Sequence, residues 1–135
     1  MYKYIPVLSL FFLSCSNSNI QRCPEFNYNS INKLTSLPDG TLYTGRCLVY
    51  EGDSKRSIQQ YVNGVDYGNW VFYFPNGEIE TKGKFRNGMR VGKWKYYYES
   101  GDLKQISSYS RTGKRSGKWI EYDESGEVKK TINYN

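Results

Sequence analysis

One pattern, repeated at intervals of 24 residues (Gly68 to Gly92) and 25 residues (Gly92 to Gly117), constrains the fold of this chain most strongly. The three copies read "GNWVFYFPNGEIE", "GKWKYYYESGDLK" and "GKWIEYDESGEVK". A degenerate first copy begins at Gly45, with Cys47 where the other copies have Trp. A period of this length indicates that each copy is one supersecondary unit, which buries its core by stacking on its neighbours.

Each unit has the composition of two short strands. Runs such as "WVFYF" and "WKYYY" are aromatic and β-branched and are bounded by Gly, Pro and Asn, which favours strands over helices. Three dipeptides, Asn63-Gly64, Asn87-Gly88 and Asn76-Gly77, favour tight hairpin turns because both residue types tolerate positive φ. We therefore predict an all-β fold, an elongated single-sheet antiparallel meander of about four hairpin repeats of ~24 residues each, with about eight strands.

The aromatic landmarks of the repeat are predicted to form two ladders that hold this sheet together. Aromatic residues make up 17% of the chain, which is only 38% hydrophobic, so they must carry most of the burial. The predicted repeat-core residues are Tyr50, Trp70, Tyr73, Trp94, Tyr97, Trp119 and Tyr122.

The composition argues against catalysis. The chain has no His, which excludes His-based triads and His-ligated metal sites. No nucleophile elbow, phosphate-cradling loop or metal-ligand cluster appears, and the glycines follow the repeat period as turn glycines. We expect a protein that is not an enzyme, with no cofactor and no metal.

The N-terminus has the features of an export signal. After Lys3, an apolar run extends from Tyr4 to Leu13, which is too short to span a bilayer, since a spanning helix needs roughly 20 apolar residues. The following Leu13-Ser14-Cys15 resembles a bacterial lipobox, in which the Cys is lipidated and becomes the mature N-terminus. We predict a signal peptide at 1–14, lipidated Cys15 and a flexible tether at 15–22, an N-terminal extension at 23–44 and the repeat domain at 45–135. The alternative is an ordinary cleaved signal with loss of Cys15.

Two further cysteines, Cys23 and Cys47, remain in the mature chain. An exported protein meets an oxidising compartment, which favours a disulfide between them. Two reduced, buried thiols are the alternative, because the sequence does not show how closely the two residues approach.

The landmarks resemble the MORN-repeat family, and especially its bacterial variant repeat, with the pattern Y-x2-N-G-x3-G-x-W-x2-Y-x2-N-G. The matching residues of the second unit are Tyr61, Asn63, Gly64, Gly68, Trp70, Tyr73, Asn76 and Gly77. Those of the third are Phe85, Asn87, Gly88, Gly92, Trp94, Tyr97, Ser100 and Gly101. The fourth unit departs, with Thr112 in place of Asn and one residue inserted between Tyr109 and Gly113. The resemblance implies a protein-binding or membrane-proximal scaffold, and some bacterial members are labelled antitoxins.

Some aromatic residues exceed what the repeat requires and form a candidate binding face. Strand alternation predicts that they share a side of the sheet with the tryptophans. This candidate aromatic face consists of Phe72, Phe74, Tyr96 and Tyr98. It could stack on a peptide or a sugar ring, or serve only to hold the sheet.

Charge is segregated by turn type, and alternate turns of a meander project from opposite edges of the sheet. One class of turn holds seven basic residues and no acid, and the other holds eight acidic residues and no base. The candidate basic edge is Arg86, Arg90, Lys93, Arg111, Lys114, Arg115 and Lys118. This edge either docks an anionic surface or acidic partner, or is a solvated fringe.

Together these features predict a non-enzymatic protein anchored by lipid in the bacterial cell envelope, on the periplasmic or surface side. It is expected to act as a protein-binding or membrane-proximal scaffold, and an antitoxin or immunity protein that binds a toxin is the alternative. An unknown protein partner is expected. The membrane is contacted through the N-terminal lipid, an anionic surface is a possible ligand of the basic edge, and no nucleic acid is expected.

Overall fold

The computed structural model describes residues 20–135, so the predicted signal peptide and Cys15 lie outside the described residues. The main sheet contains nine strands. They are β3 (Gly45–Glu51), β4 (Ser54–Val62), β5 (Val65–Asp66), β6 (Gly68–Tyr73), β7 (Ile79–Arg86), β8 (Met89–Tyr97), β9 (Leu103–Tyr109), β10 (Gly117–Tyr122) and β11 (Val128–Tyr134). Two short strands, β1 (Asn27–Asn29) and β2 (Leu34–Ser36), form a separate hairpin.

The main sheet is the predicted antiparallel meander. Its strands follow the order β11-β10-β9-β8-β7-β6-β4-β3, and the two-residue β5 pairs with β4. Neighbours in the sheet are thus neighbours in the chain, apart from the short β5. The all-β, single-sheet prediction is confirmed. In residues 20–135, no helix has the length and apolar character needed to cross a membrane.

Two of the three Asn-Gly dipeptides adopt the predicted turn conformation, whereas at Asn76-Gly77 only the glycine has positive φ, at 89°, in a longer turn closed by the Phe74 amide and the Glu78 carbonyl. Asn63 and Gly64 have φ values of 49° and 74°, and Asn87 and Gly88 have 51° and 74°. Two successive positive φ values are typical of a type I′ turn, whose backbone twist matches that of the two strands it joins in a two-residue hairpin. The inserted residue of the fourth unit changes the corresponding turn, in which the Ser110 amide donates to the Lys114 carbonyl over 2.8 Å.

A β-bulge recurs at each repeat tyrosine. The register shifts between Val49 and Tyr50, between Phe72 and Tyr73, between Tyr96 and Tyr97, and between Glu121 and Tyr122. A bulge opposes two residues of one strand to one of the other and bends the strand. The first copy, although it lacks the Trp, therefore shares this local geometry with the other three.

The last residue of the predicted tether and the start of the N-terminal extension close the β3 edge of the sheet. Arg22 forms a parallel bridge with Leu48, and Cys23 is joined to Cys47 by a disulfide with a Cα–Cα distance of 4.7 Å. This is the pairing that the exported context favours. The rings of Phe26 and Tyr43, 4.9 Å apart, both pack against Tyr61.

Burial raises the pKa of Tyr61 to about 12, and the nearby Asp66 carboxylate adds to the shift.

Candidate binding surfaces

The tryptophans occupy equivalent positions on one face of the sheet, here named the Trp face. Each indole N–H donates to a main-chain carbonyl of an adjacent strand in the sheet, β4, β7 and β9 in turn. The bonds are Trp70 to Gln60 at 3.0 Å, Trp94 to Lys84 at 3.2 Å and Trp119 to Ser108 at 2.9 Å. These acceptors are themselves one repeat apart, so the indole position is part of the repeat and not a feature of one unit.

Aromatic rings from neighbouring strands pack against each indole. Phe85 lies between two tryptophans, with centroid distances of 4.9 Å to Trp70 and 5.0 Å to Trp94. In the last unit Trp119 packs on Tyr109 at 5.4 Å and on Tyr134 at 5.1 Å. Such tilted and edge-on pairs add to the stability that burial provides.

The predicted repeat-core residues differ in burial along the sheet. Trp94 is fully buried, Trp70 is 7% exposed and Tyr73 is 9% exposed. The remaining four are half-buried, namely Tyr50, Tyr97, Trp119 and Tyr122. Central units therefore carry most of the core.

Gly83 is a core glycine that lies outside the turn positions shared by the repeat glycines. It lies within β7 and is the cross-strand partner of Trp70. A Cβ at this position would overlap the indole of Trp94. The missing side chain lets two tryptophans approach the same point of the sheet, so close packing rather than turn geometry explains this Gly.

The candidate aromatic face is already engaged within the fold. Its four residues, Phe72, Phe74, Tyr96 and Tyr98, are all half-buried. Phe72 contacts Trp70 at a centroid distance of 5.9 Å. The Tyr98 hydroxyl donates to the Tyr122 carbonyl over 2.8 Å, and the Tyr96 hydroxyl accepts from Arg90 over 3.1 Å. Burial also raises the pKa of Tyr96. These contacts favour a role in holding the sheet.

The structure divides the candidate basic edge into three groups. Arg86, Arg111 and Lys114 are exposed at or beside the two turns, here named the basic turn edge. The turns adjoin each other, because a Cβ at Gly113 would lie 2.9 Å from the Cβ of Met89. These three are the members of the predicted basic edge that lie at or beside the turns.

The two other arginines cover tryptophans on the Trp face. Arg90 lies 4.5 Å from the Trp94 ring centroid, and Arg115 lies 5.0 Å from that of Trp119 and donates to the Tyr134 hydroxyl over 3.2 Å. Both precede their Trp by four residues. Their recurrence at one position of the repeat was a signal in the sequence that charge counting missed.

The two lysines lie elsewhere. Lys118 is exposed in β10, opposite Asn133. Lys93 lines a groove of about 370 Å³ that crosses β6, β7 and β8 and was not predicted. Three more lysines, Lys82, Lys84 and Lys95, and two valines, Val71 and Val91, line the same groove. We name it the lysine groove.

The opposite turns form an acidic edge, as predicted. Their exposed acids are Glu78, Glu99, Asp102, Glu124 and Glu127. The turns are locally stabilised, since the Asp123 carboxylate accepts from the amides of Ser125 and Glu127 at 3.0 Å each. Hydrogen bonds, led by that from the Ser125 hydroxyl, lower the pKa of Asp123.

Comparison with known proteins identifies the repeats. A family model described as "MORN repeat variant" matches residues 66–87, 90–111 and 115–135. The degenerate first copy precedes the matched residues, although its strands continue the same sheet.

No curated protein matches the chain. A chain from the crystal structure of the GtfA/B complex bound to UDP and GlcNAc is similar, with 10% identity and a TM-score of 0.37. The alignment covers 85% of this chain and 25% of that one. A similarity at this level supports no inference about function. Residues 66–87, 90–111 and 115–135 of this chain thus match the MORN repeat variant in three consecutive copies.

Proposed function

We propose that this protein is a non-enzymatic, lipid-anchored protein of the bacterial cell envelope that acts as a protein-binding or membrane-proximal scaffold. The observation that carries the proposal is the segregation of charge between the two turn edges of one sheet. MORN-variant repeats suggest a binding or scaffold role. An elongated sheet with a cationic edge and an anionic edge presents two chemically distinct surfaces to partners.

The N-terminus supports an attachment close to the membrane. Cys15 precedes Arg22 by seven residues, and Arg22 is bridged to β3. An extended chain advances about 3.5 Å per residue, so a lipid on Cys15 would keep the β3 end within roughly 25 Å of the membrane surface. A sheet held by its β3 end and lying along the membrane can bring the basic turn edge to anionic headgroups or to partners assembled on them.

Lipid anchoring is tested by fractionation of cells that express Cys15→Ala. We expect this variant to move from the membrane fraction to the soluble periplasmic fraction, because no acyl chain can then be attached. Membrane retention equal to that of the unchanged chain would contradict lipid anchoring.

The basic turn edge is tested with anionic vesicles and residues 20–135, which keep Cys23 for its disulfide. We expect binding at low salt and release at 1 M salt, where the screening length falls to about 3 Å. Arg86→Glu/Arg111→Glu/Lys114→Glu should abolish binding, because each charge near an anionic surface contributes about 1 kcal/mol. Arg115 is left unchanged, since it covers Trp119. If the triple variant binds the vesicles as well as the unchanged chain does, the basic turn edge is a solvated fringe and not a binding surface.

A further inference from the structure

The lysine groove carries an unbalanced charge. Lys82, Lys84, Lys93 and Lys95 line it, and no acidic side chain does. Lys82 and Lys95 are direct cross-strand partners, and like charges placed opposite each other destabilise a sheet. The one salt bridge in the described part of the chain joins Arg56 to Glu51, which lie outside the groove. An anionic ligand would relieve this repulsion.

The shape of the groove favours a narrow ligand. Two of its lining residues, Gly83 and Gly92, contribute only main-chain atoms, so main chain forms part of the floor. Val91 in the lining is 8% exposed and Val71 is half-buried. A concave surface with an apolar floor and cationic walls suits a single extended chain, whose methylene groups can pack on the floor, better than it suits a planar bilayer.

The spacing of the lysines matches that of an extended peptide. Lys82 and Lys84 are two residues apart in β7, as are Lys93 and Lys95 in β8, and a register shift between Lys82 and Lys84 places Lys84 opposite Val91. Residues two apart in a strand lie roughly 7 Å apart and point to the same side. Acidic side chains at every second position of an extended ligand have this same spacing and orientation.

From charge, shape and spacing together, we propose that the lysine groove binds an extended acidic segment of a partner protein, with Asp or Glu at alternate positions. The proposal rests on the protein-binding role proposed above and names the surface and the chemistry of the partner. The Trp face and the basic turn edge take no part in it.

The direct test is fluorescence anisotropy of a labelled octapeptide that alternates Glu and Thr, titrated with the full chain in neutral detergent. The matched probe has the same composition in the order Glu-Glu-Thr-Thr-Glu-Glu-Thr-Thr. In an extended conformation this order divides the acids between the two sides, and on each side they are four residues apart. We expect the alternating peptide to bind at least tenfold more tightly at low salt. Equal affinities, or no binding of either peptide, would overturn the proposal.

The groove is then separated from general charge with two matched variants. Lys84→Glu/Lys93→Glu changes exposed groove side chains and keeps the main-chain bond from Trp94 to the Lys84 carbonyl. Arg86→Glu/Arg111→Glu changes the net charge equally at the basic turn edge. We expect at least a tenfold loss of peptide affinity for the first pair and less than a twofold loss for the second. Equal losses would refute the groove assignment.

Two further measurements complete the test. Lys84→Ala/Lys93→Ala should also lose peptide affinity. This Ala pair replaces the Glu pair in the comparison if the Glu substitutions lower the melting temperature. Binding of anionic vesicles is measured with and without the peptide. If the vesicles bind through Lys84 and Lys93 and the peptide does not compete, the groove binds lipid and the proposal is overturned. A failure here, with Cys15 anchoring and binding at the basic turn edge intact, would leave the scaffold role standing.

Discussion

The third and fourth units place the same residue in different environments. Trp94 of the third unit is fully buried, whereas Trp119 of the fourth is half-buried. Both donate an indole N–H to an equivalent carbonyl, and both are covered by an arginine. The local sequence is therefore satisfied in both units, and the difference lies in what surrounds them.

Neighbouring strands explain the difference. Trp94 lies in β8, which has two well-formed strands on each side, and a glycine in β7 makes room for it. Trp119 lies in β10, next to β11, whose first four residues are all exposed. In a linear array each unit gains stability mainly from the units beside it. Equivalent residues should thus contribute unequally to stability.

The largest expected effect is the contrast between two tryptophan deletions. Trp94→Ala should lower the free energy of unfolding by about 3–5 kcal/mol, since it empties a fully buried indole site. Trp119→Ala should lower it by about 1–2 kcal/mol, because less apolar surface is lost from the core. Urea denaturation followed by circular dichroism measures both. Equal losses would break the comparison between the two units.

The next effect concerns the closed N-terminal end of the sheet. Cys23→Ala/Cys47→Ala should lower stability by about 3 kcal/mol, the chain-entropy value for a loop of this length. The β3 edge would then open, and hydrogen exchange of its amides should rise while that of β8 stays slow. Unchanged exchange at β3 would show that the Phe26, Tyr43 and Tyr61 rings alone hold this end.

Gly83→Ala sharpens the explanation for the burial of Trp94. The new methyl overlaps the indole, and overpacking of this kind costs about 1–3 kcal/mol. Lys84→Ala, at the exposed neighbouring position, is the matched control and should change stability little. A neutral Gly83→Ala variant would show that Trp94 can move without loss and that the central core is looser than proposed.

The smallest effects are expected at the two arginines that cover the tryptophans. Arg90→Ala and Arg115→Ala should each cost about 0.5–1 kcal/mol, the range for cation–π contacts at exposed sites. Arg86→Ala, at the basic turn edge, serves as the control. Tryptophan fluorescence should shift to the red in each arginine variant, because water reaches the uncovered ring. If the fluorescence does not shift, the two arginine side chains do not shield the indoles and are solvated like the other surface charges.

Much of the fold follows from residues that are close in sequence. Asn63-Gly64 and Asn87-Gly88 predicted their turn conformation correctly, because positive φ is readily adopted by those two residue types, whereas Asn76 lies in a longer turn without positive φ. The Gly-x-Trp spacing likewise predicted the unit length. The bulges at Tyr50, Tyr73, Tyr97 and Tyr122 were not predicted, since a bulge depends on how two strands are paired and leaves the spacing of either strand unchanged.

The candidate surfaces were less predictable. Charge counting grouped Arg90 and Arg115 with the turn residues, but both side chains lie over indoles. The lysine groove could not be read from the chain, because Lys82 and Lys95 meet only through the β7–β8 register. A shift of that register by one residue would turn one row of lysines to the other face.

The sequence by itself determined the all-β class, the repeat length, the Asn-Gly turns and the order of the strands, because each depends on conformational preferences within a few residues. The tertiary structure decided which tryptophan is fully buried, which arginines leave the basic edge and where four lysines converge. These outcomes depend on side chains brought together from different strands, and the free energy of burial is set by all the neighbours of a residue. A repeated sequence can therefore specify identical units and still produce a sheet whose centre and end differ.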